Sequence, residues 1–178
     1  MSRRHNSLIP LSHQHQHALA LAVVVRRRFG MEKGESEWQG DMAEKVRKLY
    51  DGELKGHFDV EETILFPQME RHLGPLDLVT ELRNEHAFLR DLVRRVGQSS
   101  ALLLEPGGLP YLDEFAALLE RHVRTEERRL FPEFEKRMPA QEALKVGREI
   151  EAQLTKACPR LGLGGHHPFT SGHQSPPK

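Results

Sequence analysis

Cysteine is nearly missing: among 178 residues only Cys158 occurs, so no disulfide closes within the chain and a reducing compartment is expected. Net charge is missing as well. Twenty-six Lys and Arg balance 26 Asp and Glu, so no overall field draws the protein to nucleic acid or to an anionic membrane. No apolar run approaches the roughly 20 residues of a membrane-spanning helix. The basic start "MSRRHNSLIPLSHQHQH" breaks its apolar stretch with polar residues at once and lacks the core of a signal peptide. The expectation is a cytoplasmic protein. β-Branched alternation, the mark of strands, is absent too, which leaves an all-α chain.

What remains is rich in helical pattern and in histidine, of which there are eleven. With 38% apolar residues the chain can bury one sizeable core. A first helix is expected over about 10–29, with Leu8, Leu11, His15, Ala18, Ala22 and Val25 on one stripe and Gly30 as its stop. A second runs from an N-cap at Asp41 to about His72, its stripe carrying Met42, Val46, Leu49, Tyr50, Leu54, His57, Glu61 and Leu65. Gly74-Pro75 is a turn, and a third helix follows to about Gly97 with Val79, Leu82, His86, Leu89 and Val93. After the connection "QSSALLLEPGGLP" comes a fourth, striped by Leu112, Phe115, Leu119, His122, Glu126 and Leu130. A shorter fifth helix starts at Pro139. The expected fold is an up-down-up-down four-helix bundle in one domain over 1–157, with the Gly-, Pro- and His-containing stretch 158–178 as a flexible tail.

Two segments, "HFDVEETILFP" and "HVRTEERRLFP", share the frame H-x-x-x-E-E-x-x-L-F-P. Residues four apart stack on one helix face, so His57 with Glu61 and His122 with Glu126 each present a nitrogen and a carboxylate to one point. Either pair alone would read as an ordinary surface pair worth about 0.2–0.5 kcal/mol. Two such pairs, joined by His15 and His86 on the other two stripes and all at one height when counted along antiparallel helices, call for a cation, because buried carboxylates cost several kcal/mol unless neutralised. The weak echo between "HQHQHALALAV" and "RNEHAFLRDLV" makes the chain a duplicated hairpin. That pseudosymmetry assigns His15 and His57 to one metal, His86 and His122 to a second, and Glu61 and Glu126 as bridges. Imidazole and carboxylate donors without thiolate suit iron, manganese or zinc.

Around these ligands lie residues of lesser weight. His13 and His17 lie about 200° from His15 around the helix and point elsewhere, although His17 joins a weak second stripe with Leu21 and Val24. Glu62 and Glu127, one residue past the bridging positions, read as surface ion-pair partners, with a role behind the ligands as the alternative. Phe66 and Phe131 read as core residues before prolines that end or kink their helices, and Tyr50 as a core tyrosine. His166, His167 and His173 belong to the tail.

At "LSHQHQHAL", "HFDVEETILFP", "RNEHAFLRDL" and "HVRTEERRLFP", over residues 8 to 137, the sequence resembles the hemerythrin-like, or HHE cation-binding, family. The resemblance favours His15 over its neighbours. It implies two non-haem iron ions, oxo- or hydroxo-bridged, in a four-helix bundle, with zinc or manganese as substitutes. It also implies a small ligand, dioxygen, nitric oxide or peroxide, taken up for sensing, scavenging or iron handling. A di-iron enzyme with peroxidase-, catalase- or oxidase-like activity, or an iron-centre repair protein, is the alternative. Oxygen-carrying hemerythrins place a second histidine one turn after the third helix's ligand, where this chain has Arg90. An ion pair from Arg90 to Glu62 or Glu127 is expected instead.

Overall fold

The computed structural model describes residues 4–31, 36–101 and 110–157. The expected flexible tail, with Cys158 and its three histidines, lies outside them. After a 3-10 turn at Asn6–Leu8, helix α1 spans Ile9–Met31. Helix α2 is one rod over 36–73, α3 spans Asp77–Ala101, α4 is one rod over 110–137, and α5 spans Ala140–Ala157. No strand occurs among the described residues. Four long helices touch in a ring, α1 on α2, α2 on α3, α3 on α4 and α4 on α1, forming the all-α bundle that the stripes predict.

Three boundaries differ from the expectations. Gly30 and Gly97 do not stop their helices, which run on to Met31 and Ala101; a helical glycine costs only about 1 kcal/mol against alanine, and beside Gly97 the buried Val93 and Val96 outweigh it. Asp41 is no N-cap but an exposed position inside α2, which is already helical at Ser36. Trp38, Met42 and Ala43 are buried there, so apolar contact carries the helix past the capping signal. Gly74 does end α2: its φ of 84° lies where side chains are disfavoured, and its N–H returns to the Glu70 carbonyl.

Nor do Pro67 and Pro132 end their helices. Each follows a π turn, Glu61–Leu65 in α2 and Glu126–Leu130 in α4, closed by N–H bonds from Phe66 to the Glu61 carbonyl and from Phe131 to the Glu126 carbonyl. Proline lacks the N–H that an α turn would use and crowds the carbonyl four residues back, so a wider turn fits just before it. The extra residue lets the consecutive Leu65 and Phe66, and likewise Leu130 and Phe131, all be buried along with the glutamates.

The core divides into two apolar clusters. One contains Ala18, Ala22, Met42, Leu54, Phe58, Leu89, Val93, Phe115 and Leu119; the other contains Leu8, Leu11, Leu65, Met69, Leu82, Leu130, Phe134 and Ile150. Between them in sequence, on every one of the four helices, fall the histidines and glutamates. Helix α5 covers the second cluster with Ala143, Val146, Ile150 and Leu154, and Ser7 donates to the Ala143 carbonyl at 2.7 Å. Gly147 allows this approach, since a Cβ there would sit 2.6 Å from that of Ser7.

Candidate metal centre

His15, His57, Glu61, His86, His122 and Glu126 are all buried to 2% exposure or less, so the four helices bring the six side chains to one layer. Their ligating atoms form two groups that share the glutamates: His15, His57, Glu61 and Glu126, and Glu61, His86, His122 and Glu126. Within each group these atoms lie within 4.8 Å of one another. The Nε2 atoms of His15 and His57 are 3.0 Å apart, and those of His86 and His122 are 3.1 Å apart. Glu61 spans both pairs, Oε1 standing 3.1 Å from His57 Nε2 and Oε2 3.3 Å from His86 Nε2. Glu126 Oε2 reaches His15 Nε2 at 3.1 Å and His122 Nε2 at 3.4 Å.

Which atoms carry protons follows from the outer side of each ring. His15 Nδ1 lies 2.8 Å from Glu127 Oε1, His57 Nδ1 2.8 Å from Gln14 Oε1, His86 Nδ1 2.8 Å from Glu62 Oε1 and His122 Nδ1 2.9 Å from Glu85 Oε2. All four neighbours are acceptors, so each Nδ1 is placed to donate a proton, which leaves Nε2 as the inward atom able to offer its lone pair to a cation. Four Nε2 atoms then face two carboxylates. Both oxygens of Glu61 and both of Glu126 are buried without a hydrogen-bond donor. A cluster of acceptors with no donor is the environment that a cation satisfies and that a packed apolar core does not.

Without a cation, protons take its place. Burial works against charge on His15, but the facing carboxylates of Glu126 and Glu127 prevail and raise its pKa to about 9. For His86 burial is likewise overcome by Glu61 and Glu62, to about 9. Burial would raise the Glu62 and Glu127 carboxyls, yet His86 with Arg90, and His15 with Ser12, hold them down at about 2. Glu61 is held well below the usual carboxylate range by His57 and His86 against a strong burial effect.

Glu62 and Glu127 are therefore not the surface pairs that their position in the sequence suggests. A turn of about 100° takes them off their own helix's inward face, but it aims them at the neighbouring helix, where the outer nitrogen of a lone histidine waits. Arg90 donates to Glu62 at 2.8 Å, the expected ion pair, and Arg4 pairs with Glu127. Sequence reasoning missed Gln14 and Glu85. A signal was there: each immediately precedes the lone histidine of its half, Gln14-His15 and Glu85-His86, and each holds the paired histidine of the next helix.

The phenylalanines of the repeated frame are also more than filler. Phe131 stacks on His15 with centroids 5.4 Å apart, and both Phe66, at 5.8 Å, and Phe58, at 4.0 Å, stack on His86. Flat apolar walls fix the ring planes as the Nδ1 bonds fix their rotation. Of the remaining histidines, His17 is exposed and pairs with Glu53, His13 is exposed, and His72 pairs with Glu142 at a distance of 3.7 Å. Tyr50 is partly buried against the first apolar cluster, edge-on to Phe58.

Comparison with known proteins covers the same part of the chain. The family model of the hemerythrin HHE cation binding domain matches residues 10–134. An uncharacterised hemerythrin-like protein of Schizosaccharomyces pombe is 26% identical over 113 residues, covering 62% of this chain and 55% of that protein, so the matched part spans about half of the relative. No solved structure matches. The family match takes in both H-x-x-x-E-E-x-x-L-F-P segments and both lone histidines; this chain belongs to the hemerythrin HHE cation-binding family.

Proposed function

We infer that this chain is a non-haem di-iron protein that takes up a small ligand, dioxygen, nitric oxide or peroxide, for sensing, scavenging or iron handling. The observation that carries the reading is the layer of four inward Nε2 atoms around two buried carboxylates whose oxygens have no hydrogen-bond partner. His15 and His57 would hold one ion, His86 and His122 the other, with Glu61 and Glu126 between them. Imidazole and carboxylate donors without thiolate would suit iron or manganese, with zinc as a substitute.

Iron bound here would supply reversible ligand binding and one-electron chemistry. The chain's own residues set the conditions for it. Two imidazoles and two carboxylates would offer each ion four protein donors, fewer than the roughly six that iron or manganese accepts, so a small ligand would have room to bind. Arg90, at the place of a histidine in oxygen-carrying relatives, is engaged with Glu62 and Asp59 and adds no nitrogen. Phe58, Phe66 and Phe131 line the rings and keep the layer dry. Among the described residues no helix is long and apolar enough to cross a membrane, and with its balanced charge and single cysteine we place the protein in the cytoplasm, as one domain over 1–157.

The test is an optical titration of the iron(II)-loaded protein with dioxygen, nitric oxide and peroxide. A new visible band that forms with at least one of them supports the reading, and a spectrum unmoved by all three contradicts it. The runner-up, a di-iron enzyme, is favoured by the same room for a small ligand. It predicts sustained consumption of hydrogen peroxide or dioxygen that a Glu126→Ala variant loses.

A further inference from the structure

The duplicated halves match in all six inner side chains but not behind them. His15, His86 and His122 each donate their Nδ1 proton to a carboxylate, from Glu127, Glu62 and Glu85, whereas His57 donates to the neutral amide of Gln14. Gln14 and Glu85 are counterparts: each precedes the lone histidine of its half, each is buried, and each accepts at 2.8 or 2.9 Å from the paired histidine of the following helix. The carboxylates are in turn bonded by arginines, Arg4 on Glu127, Arg90 on Glu62 and Arg121 on Glu85. Arg121 is two-thirds exposed, so solvent screens it and Glu85 keeps much of its charge toward His122.

An anionic acceptor draws the Nδ1 proton away from the ring and makes the opposite nitrogen a stronger donor; a neutral amide does so far less. The pair His86 and His122 has two such acceptors behind it, and the pair His15 and His57 has one. We propose that Gln14 and Glu85 are positioning residues that make the two metal positions unequal, so that the His86–His122 position fills first and the His15–His57 position second. The inference rests on the di-iron reading above. Changes to groups behind a ligand typically alter metal affinity about 10- to 100-fold, and that sets the expected separation of the two steps.

Cobalt(II) added to the metal-free full chain, followed by visible absorption and calorimetry, reads the steps directly. Wild type is expected to bind two ions in steps separated by about 10- to 100-fold. Glu85→Gln should weaken the tight step and Gln14→Glu should strengthen the weak one, so that either variant brings the two together. The double variant, isosteric overall, should separate them again in the opposite order. Order is assigned with His57→Ala, which keeps the tight step, and His122→Ala, which keeps the weak one. If Glu85→Gln does not fold by circular dichroism, Gln14→Glu decides alone. Two ions bound with equal affinity in wild type, or steps that do not move in Gln14→Glu, overturn the inference and leave the di-iron reading standing. No cobalt bound at all overturns both.

Discussion

Removing the metal from this bundle should lower its melting temperature by far more than chelation lowers that of an ordinary helical protein. In the layer between the two apolar clusters, four carboxylate oxygens have no donor, and each unsatisfied buried group costs about 1–3 kcal/mol. Linkage gives an independent figure: an ion at one hundred times its dissociation constant stabilises by about 2.7 kcal/mol, so two contribute about 5 kcal/mol. For a domain of this size each kcal/mol shifts the midpoint by about 2–4 °C, so the expected fall on chelation is about 10–20 °C. The gap should also depend on pH in a definite direction. In the metal-free chain, protons on His15 and His86 partly replace the cations, with pKa values raised from 6.5 to about 9. A raised folded-state pKa adds stability that is complete below about 6.5 and is lost as pH rises through about 9. The metal-free midpoint should therefore fall between pH 6.5 and 9 while the loaded midpoint changes little, and the gap widens. Differential scanning calorimetry of loaded and chelated protein at pH 6.5, 7.5 and 9 measures it. A gap below about 2 °C, or one that narrows with pH, would refute the argument that donorless carboxylates require a cation.

Other consequences follow from the same geometry. Binding of two divalent ions at pH 7.5 should release about two protons, from His15 and His86, readable with a pH indicator in weak buffer; no release would mean that these rings are already neutral. His57→Ala should lose bound iron while His72→Ala keeps it, because His57 is 1% exposed in the central layer and His72 lies at the surface against Glu142; equal iron in both would break the assignment of faces. Gly147→Val should cost about 1–3 kcal/mol, since side-chain atoms there overlap Ser7, and a urea midpoint equal to wild type would show that α5 does not pack on the first turn.

Much of this arrangement could be read in the sequence because helices impose a period that polar residues rarely violate. His15, His57, Glu61, His86, His122 and Glu126 stand out as polar positions within apolar stripes, and counting along antiparallel rods puts them level. The groups behind them were harder to see. Glu62 and Glu127 fall off their own stripes, and only the packed neighbour shows that the direction they take leads to His86 and His15 rather than to solvent. Gln14 and Glu85 carry no periodic signal, only adjacency to the lone histidines in both halves. Pro67 and Pro132 each stand just after a π turn inside helices whose packing is too favourable to stop, a balance that the proline alone does not disclose. Asp41 and Gly97 mislead for the same reason: burial outweighs a local boundary signal.

The central claim is that two cations sit in this layer, each between one pair of histidines. Anomalous diffraction at the iron edge from crystals of the iron-loaded protein locates them without reference to activity. Two peaks are expected, one beside the Nε2 atoms of His15 and His57 and one beside those of His86 and His122, with Glu61 and Glu126 reaching both. A layer without peaks in iron-replete crystals, or iron bound only elsewhere on the chain, would contradict the account.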